Sequence, residues 1–159
     1  MAKKRVAKDE SEQKVLDDIR EFGQHVLAVA EDDEGPGFIY SIGLFENYAH
    51  PEIIIIGLRQ ELAHLLINNI AFDIKEGKIF SPGEFHEGVL DDFLCYFAAV
   101  HPEHYRDFVG WARWYYGGDD FPLVQCIYPT TNGVFPWEKD FPENSKWSCQ
   151  MLASPPREH

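Results

Sequence analysis

The hydrophobic positions along the chain change their period several times, and each change marks an element. Between Ser11 and Phe22 the apolar residues Val15, Leu16, Ile19 and Phe22 follow the spacing of one helical face, with Lys14, Asp17, Asp18 and Arg20 outside. Ser11 is expected to cap this helix and Gly23 to end it, because a left-handed residue is least costly there. His25 to Ala30 then reads as a strand, Asp32 to Gly37 as a turn built on Gly-Pro-Gly, and Phe38 to Leu44 as a second strand. The pair predicts a hairpin. In the second strand Phe38, Tyr40, Ile42 and Leu44 alternate with Ile39, Ser41 and Gly43. A glycine in so apolar a strand points to another group close to the backbone.

Phe45 to Pro51 reads as a loop. Glu52 to Gly57 places isoleucines on both faces, which predicts a central, covered strand. Residues 59–76 carry the clearest helix, with Leu62, Leu65, Leu66, Ile70 and Ile74 at helical spacing and Gly77 as its stop. It is expected to pack on the isoleucine strand. Residues 80–91 read as a bent or short edge strand, and Asp92 to Val100 as a strand covered on both faces. A third helix starts near Pro102, with Tyr105, Phe108, Val109, Ala112, Tyr115 and Tyr116 as its stripe. Phe121 to Tyr128 is the last strand, and the chain is loop-like after Pro129. The order predicts an α+β fold: a mostly antiparallel sheet of about five to six strands packed with two to three helices. At 159 residues it reads as a disordered basic arm over 1–10, one domain over 11–152 and a loose tail over 153–159.

Composition narrows the function classes. The hydrophobic share of 45% is enough for a core, and a net charge of −13 makes nucleic acid and anionic membranes poor partners. That charge serves solubility, or an acidic face that docks on a basic protein. Three scattered cysteines without a CxxC pair give neither a disulfide framework nor a zinc site, and Cys95 and Cys126 read as core residues. No apolar segment follows the basic N-terminus, and the run Ile53 to Ile56 is far short of a membrane span, so a cytoplasmic protein is expected. GxGxxG, GxxxxGK[ST] and GxSxG do not occur.

Four constellations could carry chemistry. Ser41 beside Tyr40, with His50 and Glu52 flanking Pro51 at a strand mouth, resembles a nucleophile with its base; alternatively His50 and Glu52 order the loop by hydrogen bonds. His101 and His104 could share a metal, with His86 as a third ligand, but His101 precedes the helix and a surface cap accounts for it. Gln125 is the polar residue within Leu-Val-Gln-Cys-Ile-Tyr128; a buried amide there pairs with neighbouring backbone or lines a cavity with Ser41. Gly133-Val-Phe-Pro-Trp-Glu138 forms a rigid aromatic segment that serves as a lid, a partner anchor or a seal on the core. His25 and His64 read as partly buried structural groups, and Trp111 and Trp114 as a possible homodimer contact.

Taken together, Tyr40-Ser-Ile-Gly-Leu44, His50-Pro-Glu52, Ile56-Gly-Leu58, Gly77, Gln125 before Tyr128-Pro129, and Gly133-Val-Phe-Pro-Trp-Glu138 resemble a bacterial family catalogued as domain of unknown function 4262. The resemblance covers about residues 20 to 140 and departs at Thr130-Thr-Asn132, where an acidic residue is expected. It implies a small domain whose Tyr40, Ser41, His50, Glu52, Gln125, Trp137 and Glu138 are candidates for one site. A looser likeness is to the flavin-reductase split barrel. The sequence therefore supports a non-catalytic module binding a protein or small-molecule partner, or alternatively a nucleotide- or flavin-binding enzyme or hydrolase using Ser41, His50, Glu52 and Gln125.

Overall fold

The isoleucine strand is the middle of the molecule. The computed structural model describes residues 6–91, 93–146 and 148–156; residues 1–5 of the expected arm, Asp92 at the expected start of a strand and 157–159 of the expected tail lie outside them. A single sheet runs β1-β2-β3-β6-β5-β4, from β1 (His25–Val29), β2 (Phe38–Ile42), β3 (Glu52–Ile56), β4 (Glu84–Leu90), β5 (Phe93–Ala99) and β6 (Leu123–Ile127). Every neighbouring pair is antiparallel except β3 and β6, which run parallel through Ile53↔Val124 and Ile54↔Gln125. All residues of β3 and β6 are buried, as expected of strands covered on both faces.

One face is covered by α3 (Gln60–Lys75), whose Ala63, Leu66, Ile67, Ile70 and Ile74 pack on Ile39, Ile53, Ile55, Phe97 and Val124. The other face meets α1 (Glu10–Phe22), α4 (Tyr105–Phe108) and α5 (Gly110–Tyr116). Their Val15, Ile19, Tyr105, Ala112 and Tyr115, with Val109 between α4 and α5, lie against Tyr40, Ile42, Ile54, Ile56 and Leu123. These helices do not extend over β5 and β4. There Phe135 and Ala153 cover Tyr96, Ala98 and Ile127, with Trp137 and Met151 packed beside them. The architecture is α+β, as the hydrophobic pattern predicts, with five α-helices among the described residues rather than two to three.

Several local expectations need correcting. Asp9, not Ser11, caps α1, its carboxylate accepting the Glu12 N–H at 2.9 Å; Gly23 ends the helix in the left-handed conformation as expected. The second strand stops at Ile42, because Gly43 turns at φ +113° into a short helix, α2 (Leu44–Tyr48), within the expected loop. A side chain at Gly43 would sit 3.0 Å from the Gly23 carbonyl oxygen, the close approach that a glycine in this strand implied. The third helix is broken: a 3-10 turn (Pro102–His104) leads into α4, and Val109 leaves the helical region before the poor helix former Gly110. Leu65 and Phe22, expected on core faces, are exposed, and so is His64. Trp111 and Trp114 are half-buried and pack against the second core rather than standing free.

Candidate functional site

The polar centre begins where the β2–β3 ladder ends. Its last rung is Tyr40↔Ile54, and beyond it the Ser41 hydroxyl accepts the Ile53 N–H at 3.0 Å in place of a ladder bond. The same hydroxyl donates to Glu52 Oε1 at 2.7 Å. Glu52 has no exposed surface, yet its carboxylate is fully occupied. Oε1 also accepts the Leu44 N–H at 3.2 Å, and Oε2 accepts the N–H groups of Gly43 at 2.9 Å and Phe45 at 3.1 Å. The Tyr116 hydroxyl completes the set by donating to Oε2. Three of these donors are backbone groups at the start of α2, which has no cap of its own. Glu52 thus caps α2 from the neighbouring strand.

Burial pushes the Glu52 carboxyl above the ordinary range; the hydroxyls of Tyr116 and Ser41 and the N–H groups of Phe45 and Gly43 pull it back. Burial, with the Glu52 charge beside it, pushes the Tyr116 hydroxyl upward. A carboxylate offers roughly four lone-pair sites, and five donors already share them. None is left facing a substrate.

The remaining candidates have separate duties. His50 is 3% exposed; its Nε2 accepts the Phe80 N–H at 2.9 Å and its Nδ1 lies 2.8 Å from the Pro51 carbonyl oxygen. The ring proton therefore sits on Nδ1 and the imidazole is neutral. Burial holds its pKa below the usual histidine value, against the raising effect of the Pro51 bond. Tyr40 accepts the Trp111 N–H at 3.2 Å, and burial pushes its own hydroxyl upward. Gln125 donates to the Gln150 carbonyl at 2.7 Å and accepts the Leu152 N–H at 2.8 Å, pinning the C-terminal segment across β6. Trp137 stacks on Phe135 at 4.6 Å and meets Tyr96 and Phe85 edge-on, while Glu138 is exposed. Ser41 and Glu52 are joined directly; His50, Gln125 and Trp137 each turn to different partners. His101 lies 3.1 Å from the Ser154 hydroxyl and His104 lies 3.8 Å from Glu103, and no group of three metal-ligating side chains occurs among the described residues.

Open space lies elsewhere. A groove of about 860 Å³ over β4 and β5 is lined by Phe85, Tyr96, Ala98, His101, Pro102 and Pro155. A second, of about 510 Å³, opens at the carboxyl ends of β3 and β6. Its position depends on Gly57, at φ +90°, where a Cβ would come within 1.8 Å of the Ser148 carbonyl oxygen; only glycine lets Ser148 close against the strand end. The Tyr128 hydroxyl donates to the Ile56 carbonyl at 2.7 Å and ties the two strand ends together. Tyr116, 64 residues from Glu52, left no sequence signal beyond its place in an apolar stripe. The groove's signal was present but diffuse, in Gly57-Leu58-Arg59 and Tyr128-Pro129 at the two strand ends.

Among the described residues no helix is long and apolar enough to cross a membrane. No curated protein and no solved structure matches the chain. Residues 18–142 match the domain of unknown function DUF4262, in keeping with the motifs at Tyr40–Leu44, His50–Glu52 and Gly133–Glu138. With nearly the whole described fold inside that match, the chain belongs to the DUF4262 family.

Proposed function

We propose that this protein is a non-catalytic binding module. The observation that carries the reading is the complete use of the buried polar centre. Ser41, Glu52 and His50, the groups that resemble a nucleophile and its base, hold a helix start, a strand end and the Phe80 backbone. A nucleophile must be reached by its substrate as well as by its base. Ser41 and Glu52 have no exposed surface, Glu52 carries three backbone N–H groups and the Tyr116 hydroxyl besides Ser41, and the accepting nitrogen of His50 is taken by the Phe80 N–H. Open grooves of apolar and hydroxyl-bearing residues support binding instead.

The test is a melting screen against nucleotides, flavins, metals and organic acids, run beside turnover assays with ester, phosphoester and peptide substrates. A ligand at a hundredfold excess over its Kd stabilises by about 2.7 kcal/mol, worth roughly 5–10 °C in a domain of this size. The expected result is a shift with a ligand and no turnover that depends on Ser41. Turnover abolished by Ser41→Ala, assayed well below that variant's melting temperature, would overturn the reading.

A further inference from the structure

The groove at the carboxyl ends of β3 and β6 differs from the rest of the surface in its chemistry. The chain carries 27 acidic and 14 basic residues, yet the only charged side chain among the described residues lining this groove is a cation, Arg59. That guanidinium makes no ion pair or hydrogen bond with any described residue. The groove is also lined by Thr130, Thr131, Ser145 and Ser148, the Ser148 hydroxyl donating to the Ser145 carbonyl at 3.2 Å, and its apolar lining is Leu58, Leu62, Leu90 and Phe93. A volume of about 510 Å³ is in the range that holds a small organic molecule.

We infer that this groove binds a small organic anion, a carboxylate or phosphate ester carried on an apolar body. The inference rests on the binding-module reading and gives it a place and a ligand class. Arg59 meets the anionic group with charge-assisted hydrogen bonds, the hydroxyls of Thr130, Thr131 and Ser145 meet its remaining oxygens, and the leucines with Phe93 receive the apolar part. A domain of net charge −13 gives such an anion no general attraction, so binding must come from this local arrangement.

The experiment titrates the full chain with phenylacetate and phenyl phosphate, with benzyl alcohol and benzylamine as uncharged and cationic counterparts. Affinity is followed by calorimetry and location by amide chemical shifts. The expected result is binding of one or both anions, perturbing residues 57–62 and 128–131. Arg59→Gln, an exposed change that leaves the fold intact, should weaken it about tenfold, the loss of one charge-assisted contact. Leu62→Trp, which fills the groove, should abolish it. A response to phenyl phosphate alone or to phenylacetate alone assigns the anionic group. Benzyl alcohol binding as tightly as the anions, with Arg59→Gln without effect, overturns the ligand class while leaving the binding reading intact. Absence of binding by either anion, or anion binding indifferent to both substitutions, overturns the site. Conversion of a bound probe to product would overturn the binding-module reading instead.

Discussion

The two ends of β3 make opposite use of polar groups. At its amino end Glu52 is buried and saturated: Ser41, Tyr116 and three backbone N–H groups converge on one carboxylate, and no cavity is needed for any of them. At its carboxyl end the strand stops at Gly57, and beyond it Arg59, whose guanidinium pairs with no described residue, and several hydroxyl-bearing residues line open space. The first end has the residue types that suggest catalysis, and the second has the geometry that suggests a ligand. Residue type alone therefore misleads, because a buried acid with all its lone pairs filled is a structural bond, and a site needs donors still unused.

The contrast can be broken most severely at Glu52. Glu52→Ala strands the donors that converge there and should cost at least about 3 kcal/mol in denaturant unfolding, with α2 loosened. A cost under about 1 kcal/mol would mean that the closed end is not structural. Next is Gly57→Ala, which combines a positive φ with a clash against Ser148 and should cost roughly 2–3 kcal/mol. It should also move Ser148, which lines the groove, so a variant of unchanged stability would remove the basis for the groove's shape.

His50 gives a pH test. Its folded-state pKa lies below the unfolded value, so its stabilisation is fully present above about pH 6.5 and is lost as pH falls through the folded value. Protonation at Nε2 would also break the Phe80 bond. Stability should decline on acidification by about 1.4 kcal/mol for each unit the pKa is depressed, and His50→Gln should flatten that part of the profile. A profile identical in the two proteins would place the histidine outside the closed end. The smallest effect belongs to Arg59→Gln, which should change stability by no more than about 0.5 kcal/mol, since its side chain is exposed and bonds to no described residue. A larger loss would make Arg59 structural and close the contrast from the other side.

How much of this was legible in the sequence follows the range of the interactions. The isoleucine strand, Leu66, Ile70 and Ile74 of the α3 stripe and the Gly23 and Gly77 stops are local patterns, and they appear where periodicity puts them. The break at Val109 was not legible, because the apolar stripe continues across it while the backbone does not. Ser41 and Glu52 were legible as a group, but their role was not: the N–H groups they bind carry no sequence label, and Tyr116 comes from far along the chain. Gln125 was legible as a buried amide needing partners, yet the partners, Gln150 and Leu152, belong to a segment whose composition reads as loop. The carboxyl-end groove is assembled from four separate stretches, none of them polar enough to stand out alone.

The most direct measurement compares the two ends in one experiment: amide chemical shifts of the full chain during titration with phenyl phosphate and phenylacetate. Perturbations should gather at Gly57, Leu58, Arg59, Tyr128 and Thr130 while Ser41, Glu52 and Ile53 stay unmoved. Perturbations centred on Ser41 to Ile53, with the Arg59 region silent, would show that the saturated carboxylate opens to ligand and that the contrast between the two ends is wrong.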